Sequence, residues 1–347
     1  MTGELVDPLR LAAWLDEQLL DTGDGEPLDV ERITTGASNE VFVVRRGGAE
    51  WVLRRPSPNS PAPPTTMGRE FLVLSALEGT PVPHPKPHAM CNDVEVIGAP
   101  FYLMERVDGF PARIPLPPPF DADVGERHGM GTTLVDALAD LSQVDWRGRG
   151  LEEFGRPDGY LDRQVDRWLG QLERARNRDL PAVDGVSTWL REHTPVMGEP
   201  GILHGDVHFG NVMFHHGGPA RIAAIVDWEQ STIGDPLVDL GWLLALWDEP
   251  GEEPIRGLSE MRVTHEVGFP TRAELAERYA RVTSRELEHL GWYEVLALFK
   301  LGCVLEGAYA RYATGESTNP AHARLEQMVP SLFRSAAAIV EGGGNPR

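Results

Sequence analysis

Three side chains in the middle of the chain have the types and the spacing that phosphoryl transfer requires. Asn211 follows Asp206 by five residues, and Asp227 comes directly after the apolar run Ile222–Val226. In this chemistry one carboxylate lies beside the attacking hydroxyl and takes its proton, while a second carboxylate and an amide oxygen hold Mg²⁺ against the phosphates. A loop that carries Asp206 and Asn211, followed by a strand that ends at Asp227, can bring the three side chains to one point.

Two histidines in the same stretch allow a different interpretation. His204 and His208 are four residues apart, like a zinc-binding pair on a helix. Gly205 and Gly210 favour a loop instead, and no third ligand is evident in the sequence. We therefore expect His204 to brace the loop and His208 to lie near the transferred phosphate. A His-x-Asp sequence alone is usually a polar turn, so the interpretation depends on the order of the neighbouring motifs.

The first hundred residues predict a small antiparallel sheet with one helix packed on it, preceded by an N-terminal helix. Asp7-Pro8 has the residue types of a helix start, with the aspartate as N-cap. Alternating apolar residues on both sides of Gly47-Gly48 indicate a β-hairpin. The predicted elements are a helix from Asp7, strands Asn39–Arg46 and Glu50–Arg55, a helix over Met67–Leu77 and a strand over Pro100–Val107.

The remainder predicts a mainly helical region with one short β interruption, so the fold class is α+β. Thr271 and Glu274 form the pattern of a capping box, which marks a helix start. The predicted helices are Asp123–Leu141, Leu161–Arg176, Gly185–His193, Thr271–Val282, Glu286–Tyr312 and Ala321–Val340, and the predicted strands are Asn211–Phe214 and Arg221–Asp227.

The overall charge argues against two classes of partner. The 347 residues include 32 basic and 53 acidic side chains, which gives a net charge of −21. Nucleic acids and anionic membrane surfaces are bound by clustered Lys and Arg, so we expect no nucleic-acid and no membrane partner. The N-terminus lacks a basic signal-peptide start. The longest strongly apolar run, Leu240–Trp247, is too short to span a bilayer. Two cysteines cannot form a disulfide framework. These features predict a cytoplasmic protein.

Four segments, taken in order, resemble the aminoglycoside phosphotransferase and choline kinase family. This resemblance implies a bilobal protein-kinase-like fold, with a β-rich N-lobe over residues 1–107 and a helical C-lobe over residues 108–347. It covers about Val30 to Leu244 and is most specific in its second half. In chain order, the segments are the hinge-like Met104–Gly109, the catalytic-loop motif His204-Gly205-Asp206 with Asn211, the Asp227-Trp228-Glu229 triplet and the Gly234–Leu240 signature.

The resemblance also implies roles for individual residues. Asp206 would be the catalytic base or would position the hydroxyl, with His208 beside it, and Asn211 and Asp227 would bind Mg²⁺. ATP is the implied phosphate donor. Its adenine would contact backbone groups of Glu105 and Val107, and the loop that contains Ser38 and Asn39 would cover the nucleotide. Asp235 is expected to cap a helix, and Asp239 to anchor the catalytic loop through hydrogen bonds.

The lysine that kinases use on their third strand is replaced by arginine. The chain has only two lysines, Lys86 and Lys300, and neither is at this position. Strand alternation places Val52 and Arg54 on one face, so Val52 would lie over the adenine while Arg54 reaches the phosphates. Glu70 in the next helix is the candidate partner of Arg54. Kinase-like domains fused to acyl-CoA dehydrogenases resemble this chain in having arginine here.

The resemblance implies an ATP- and Mg²⁺-dependent enzyme that phosphorylates a hydroxyl of a small molecule. A nucleotide-binding pseudokinase that acts as a sensor or scaffold is the alternative, because the lysine is missing and the loop before Asn39 is poor in glycine. Candidate acceptors are aminoglycosides, amino alcohols, sugars, macrolides and hydroxyacyl-CoA thioesters, and the pattern does not choose among them or fix the oligomeric state. A CoA acceptor would need a basic patch, and the candidates for it are Arg163, Arg167, Arg174, Arg176 and Arg178. Such arginine runs more often form a solvated helix face. We also expect Glu306 and Arg311 to lie on a solvated face.

Overall fold

The computed structural model describes residues 5–18, 26–35, 39–58, 65–176, 178–251 and 263–343. Ser38, one of the predicted nucleotide-binding residues, lies outside these ranges. The chain divides into two units. The first comprises residues 1–108 together with 226–229, and the second comprises residues 109–225 and 230–347. The segment that contains Asp227 therefore belongs to the first unit, although the sequence on both sides of it belongs to the second.

The first unit is built on an antiparallel five-stranded sheet in the order β1-β2-β3-β5-β4. The predicted hairpin is confirmed: β2 and β3 pair in full register from Asn39 with Pro56 to Arg46 with Ala49. Gly47 and Gly48 between them have φ values of 55° and 85°, a conformation that glycine adopts without steric cost. The strands are β1 (Asp29–Thr35), β2 (Asn39–Arg46), β3 (Ala49–Pro56), β4 (Pro87–Cys91) and β5 (Phe101–Glu105).

The two faces of this sheet have different roles. Helix α1 (Pro8–Gln18) begins as predicted, because the Asp7 carboxylate accepts hydrogen bonds from the Leu9 and Arg10 amides at 3.0 and 3.2 Å. It buries Leu11 and Leu15 in one apolar core with residues such as Leu53 of β3. Neighbouring Val52 and Arg54 lie on the opposite face, in agreement with the alternation. The remaining helices of the unit are α2 (Thr66–Leu77) and α3 (Val94–Ile97).

The second unit is mainly helical, as predicted, and α9 is its central helix, packed against α5, α6, α7 and α10. The Thr271 capping box is present at the start of α8, with both reciprocal hydrogen bonds formed. The predicted starts of three helices are too early: Leu161–Arg163 and Pro320–Arg324 are 3₁₀ turns, and α9 begins at Leu290. The helices are α4 (Val124–Ser142), α5 (Gln164–Ala175), α6 (Ala182–Glu192), α7 (Leu237–Ala245), α8 (Arg272–Thr283), α9 (Leu290–Ala313) and α10 (Leu325–Glu341).

Two small sheets in the second unit carry the loop that contains the predicted catalytic residues. The loop runs from residue 204 to 211, after β7 and before β8. The antiparallel pairs are β7 with β10, and β8 with both β6 and β9. The strands are β6 (Phe110–Pro111), β7 (Gly201–Leu203), β8 (Val212–Phe214), β9 (Ile222–Ile225) and β10 (Thr232–Gly234). Across the described ranges, we find no helix with the length and hydropathy needed to cross a bilayer.

The expectation that Glu306 lies on a solvated helix face is wrong. Its side chain is fully buried and accepts three hydrogen bonds from the Arg178 guanidinium at 2.7 to 3.1 Å. Arg178 also donates to the Glu326 carbonyl at 2.7 Å and lies over the Tyr309 ring at 4.0 Å. The guanidiniums of Arg163 and Arg176 likewise donate to main-chain carbonyls. The Arg178 charge is therefore paired with the buried Glu306 carboxylate, so this arginine has a structural role.

We expect Glu306→Ala to lower the free energy of unfolding by roughly 3 kcal/mol or more, because it leaves the partly buried Arg178 charge without its carboxylate. Chemical denaturation measures this difference. Arg311→Ala, at an exposed position of the same helix, is the control and should change the free energy by less than about 0.5 kcal/mol. Equal effects of the two substitutions would contradict a stabilising role for the buried pair.

Candidate active site

In the first unit, Arg54 is the centre of a cluster of carboxylates. Its Nε lies 3.0 Å from Glu70 Oε2, and its Nη2 contacts Asp227 and lies 3.5 Å from Glu229 Oε2. The predicted pairing of Arg54 with Glu70 is therefore confirmed. Burial disfavours the charged guanidinium, but the carboxylates, with Glu70 first among them, outweigh this effect and raise the pKa of Arg54. Arg54 thus carries a permanent positive charge in a desolvated position.

Glu70 is the most deeply buried carboxylate of this cluster. It is 1% exposed and accepts a hydrogen bond from the Tyr102 hydroxyl at 2.8 Å. Burial raises the pKa of Glu70 to about 7, although the charge of Arg54 and the hydrogen bond from Tyr102 act in the opposite direction. Since Arg54 Nε makes no well-aligned hydrogen bond, its contact with Glu70 is mainly an attraction between charges.

Glu229 is a member of the cluster that the sequence interpretation did not assign a role. It accepts a hydrogen bond from Asn39 Nδ2 at 2.7 Å, so Asn39 and Arg54 converge on the same carboxylate. The signal was present in the Asp227-Trp228-Glu229 triplet, where the protein-kinase motif has glycine. Asp227 itself has φ 69°, in the left-handed region that few non-glycine residues adopt, and its side chain is 34% exposed.

The predicted adenine-binding residues lie at β3 and at the end of β5. Val52 is buried and is opposite Val43 and Met104 in the sheet register. The Glu105 amide donates to the Lys86 carbonyl at 2.8 Å, so this N–H already has a partner within the protein. Val107 lies two residues beyond the strand and is half-buried.

In the second unit, the loop after β7 is anchored by a buried carboxylate. Asp239 on α7 is 3% exposed and accepts hydrogen bonds from the amides of His204 and Gly205 at 2.6 and 2.8 Å. Burial raises the pKa of Asp239 to about 6, against the effect of the two amide donors. The prediction that Asp239 anchors this loop through hydrogen bonds is confirmed. Asp235 has the predicted capping role, because it accepts from the Leu237 amide at 3.0 Å, and it also accepts from the Tyr293 hydroxyl at 2.9 Å.

Side chains of the loop hold the backbone on both sides of Asp206. The Asp206 amide donates to His204 Nδ1 at 3.2 Å, and Asn211 Nδ2 donates to the Asp206 carbonyl at 2.9 Å. His208 Nδ1 accepts from the Gly210 amide at 3.0 Å, which places the proton of the neutral ring on Nε2. That Nε2 lies 3.8 Å from Asp206 Oδ1. Both histidines thus brace the loop, and the described ranges contain no group of three or more His, Cys, Asp or Glu able to hold a metal.

The chemistry of Asn211 and Asp227 fits the implied Mg²⁺. Both supply oxygen, the ligand atom that Mg²⁺ prefers. Because Asn211 uses its Nδ2 to hold the Asp206 carbonyl, its Oδ1 is left as an acceptor, and within the described ranges that atom receives no hydrogen bond. The Asp227 carboxylate is one-third exposed, so a cation can reach it.

We expect Gly205→Ala to lower the free energy of unfolding. Gly205 has φ 84°, and a Cβ at this position would lie 2.6 Å from the Gln230 carbonyl oxygen, so the main chain that leads to Asp206 would have to move. Gly150→Ala is the control, since its φ is 76° but nothing lies within 4 Å of its Cβ position, so it carries only the left-handed cost of about 1–2 kcal/mol. Chemical denaturation should show a larger loss of stability for Gly205→Ala than for Gly150→Ala, and equal losses would contradict the contact with Gln230.

Comparison with known proteins gives a family match and a shared fold. The model of the phosphotransferase enzyme family, APH, matches residues 29–281. Acyl-CoA dehydrogenase family member 11 of Gallus gallus is 33% identical over 311 residues, which cover 88% of this chain and 39% of that protein. The chain therefore spans about two fifths of the length of this curated relative.

Two solved structures extend the comparison. A Ralstonia eutropha protein, provisionally named an aminoglycoside phosphotransferase, has a TM-score of 0.77 and 29% identity, over 96% of this chain and 98% of its own. A thermostable mutant of aminoglycoside phosphotransferase APH(4)-Ia, in a ternary complex with ADP and hygromycin B, has a TM-score of 0.56 and 15% identity, over 87% and 94%. Since the family model matches most of the sequence, and the kinase-like α+β fold agrees with it, the chain belongs to the phosphotransferase enzyme family.

Proposed function

We propose that this chain is an ATP- and Mg²⁺-dependent phosphotransferase that moves the γ-phosphoryl group to a hydroxyl of a small molecule. The observation that carries the proposal is the combination of an accessible Asp206 carboxylate and a fixed loop backbone. Its carboxylate is one-third exposed, whereas the backbone that bears it is held by Asp239, His204 and Asn211. A reactive group on a fixed backbone is what a positioned general base requires.

Asp206 would accept the proton of the acceptor hydroxyl while the acceptor oxygen forms a bond to the γ-phosphorus. The bond between that phosphorus and the β–γ bridging oxygen breaks, so the products are the phosphorylated acceptor and ADP, and the proton leaves Asp206 to solvent. His208, whose Nε2 lies 3.8 Å from Asp206 Oδ1, would contact the transferred phosphoryl oxygens. Most of the catalysis then comes from positioning and electrostatics.

The nucleotide would be held by residues of the first unit. Arg54 would contact the phosphates, Asn39 and Ser38 would cover them, and Val52 would pack on the adenine beside the backbone of Glu105 and Val107. Support comes from the buried charge of Arg54 and from the APH(4)-Ia complex, which shares the fold and contains ADP. Asn211 and Asp227 would bind Mg²⁺, which would neutralise phosphate charge when present.

The acceptor is open to a direct experiment. ATP consumption can be screened with aminoglycosides, amino alcohols, sugars, macrolides and hydroxyacyl-CoA thioesters, with phosphorylated product identified by mass spectrometry. The thioesters are included because relatives of this chain are acyl-CoA dehydrogenase family members. Phosphate transfer to none of these classes would contradict the proposed function.

We expect Asp206→Asn to lower kcat by roughly 10²–10⁴, the usual size of a general-base contribution, with little change in the affinity for ATP. Steady-state turnover with the best acceptor of the screen measures kcat, and calorimetry measures ATP binding. Asp184→Asn, at an exposed position of α6, is the matched control and should turn over like the wild type. Wild-type turnover in Asp206→Asn would remove this residue from the mechanism.

The metal dependence of ATP binding distinguishes the proposed phosphotransferase from the pseudokinase alternative. We expect Mg²⁺-ATP to raise Tm more than ATP alone, and Arg54→Met to weaken Mg²⁺-ATP binding by about tenfold, because a charge-assisted contact to phosphate is lost. Arg54→Lys should restore part of the affinity. The double variant Arg54→Met, Glu70→Gln controls for the buried carboxylate that Arg54→Met leaves unpaired. Metal-independent binding without turnover would favour the pseudokinase.

A further inference from the structure

Lys300 occupies an unusual position in the second unit. It lies on α9, is 9% exposed, and donates a hydrogen bond from Nζ to the Gly205 carbonyl in the catalytic loop. Lysine is rarely buried unless its charge is paired. The ammonium lies 4.2 Å from the centre of the Trp242 ring and 5.4 Å from that of Trp168. One carbonyl and two aromatic faces thus surround the charge.

The two indoles contribute their ring faces and not their nitrogens. Trp168 Nε1 and Trp242 Nε1 are buried and have no hydrogen-bond partner among the described residues. An indole N–H can only donate, so neither nitrogen could accept a hydrogen bond from the ammonium. The rings can stabilise the cation through their π faces, and Asp206 and Asp239 supply the opposing charge.

A charge in this position does not favour folding. Burial lowers the pKa of Lys300 to about 8, and although Asp206 and Asp239 act in the opposite direction, Arg167 adds to the lowering. Between about pH 8 and the ordinary lysine value of 10.5, the unfolded chain therefore binds more protons than the folded one, and stability rises with pH. Below pH 8 the protonated lysine is held at a cost to stability.

We propose that Lys300 is a positioning residue for phosphoryl transfer, which fixes the peptide between Gly205 and Asp206 by holding the Gly205 carbonyl. This inference rests on the proposed function. The same peptide donates its amide, that of Asp206, to His204 Nδ1 at 3.2 Å. Both polar groups of the peptide are therefore held, and the direction in which the Asp206 side chain leaves the backbone is set from α9 and from the loop at the same time.

The kinetic test compares Lys300→Met, which matches lysine in length and removes the charge, with Arg127→Met. Arg127 is another buried cation that donates to main-chain carbonyls, those of Phe120 and Asp121 at 3.2 and 2.9 Å. We expect Lys300→Met to keep or raise Tm and to lower kcat by about 10²-fold, the size of effect that a small misplacement of a catalytic group produces, with KM for ATP nearly unchanged. Arg127→Met should lower Tm and leave kcat unchanged.

The pH dependence of kcat distinguishes a role of Lys300 in phosphoryl transfer from a purely structural role. The wild-type kcat should fall as the pH rises through about 8, since deprotonation of Lys300 removes the charge that holds the carbonyl. In Lys300→Arg, which stays charged, kcat should be partly retained and this alkaline fall should be absent. The same variant carries the test if Lys300→Met does not fold.

Two measurements do not need an acceptor. Because the chain has two lysines, ¹³C-lysine labelling of the full chain gives two side-chain sets, which Lys86→Arg assigns, and Lys300 should titrate near pH 8. Hydrogen exchange over residues 204–211 should be faster in Lys300→Met. Wild-type kcat together with unchanged exchange in that variant would overturn the inference. If the wild type transfers phosphate to no acceptor, the proposed function fails, and unchanged exchange would show separately that Lys300 does not hold the loop.

Discussion

The two hydrogen bonds from the His204 and Gly205 amides to the Asp239 carboxylate determine how the catalytic loop leaves β7. A carboxylate that is 3% exposed has to receive donors from the protein, and two adjacent amides at the end of a short strand need an acceptor. Each side satisfies the other, so the loop cannot move without leaving a buried charge uncovered. The left-handed backbone of Gly205 follows from this arrangement, because its two flanking peptides are held from different directions.

The arginine cluster of the first unit is a second solution to the same problem of a buried charge. A guanidinium has donors on three nitrogens in one plane, so Arg54 can contact Glu70 through Nε and both Asp227 and Glu229 through Nη2. A lysine ammonium is more compact and would be less suited to reach three carboxylates at different positions. Glu229 and Arg54 therefore complement each other, and Asn39 provides a further donor to Glu229.

Local sequence patterns predicted those features that depend on nearby residues or on the order of motifs. The Asp7 cap, the Gly47-Gly48 hairpin, the Thr271 capping box and the anchoring by Asp239 all belong to this kind. The pair Arg178–Glu306 could not be predicted in this way, since the partners are 128 residues apart and each alone looks like a surface charge. Lys300 left one signal, because it interrupts a strongly apolar stretch of α9, but its partner Gly205 is 95 residues away.

The choice between arginine and lysine at buried positions follows from the number of acceptors available. Of the 32 basic residues two are lysines, and arginines such as the buried Arg127 and the partly buried Arg178 each donate to two or more oxygens. At position 300 the described residues offer one hydrogen-bond acceptor, the Gly205 carbonyl, and two indole faces, while Asp206 and Asp239 supply opposing charge. A guanidinium there would have donors without acceptors, whereas a compact ammonium satisfies the carbonyl and places its charge against the rings. The lysine at this site is thus explained by its neighbours, even in a chain that otherwise uses arginine.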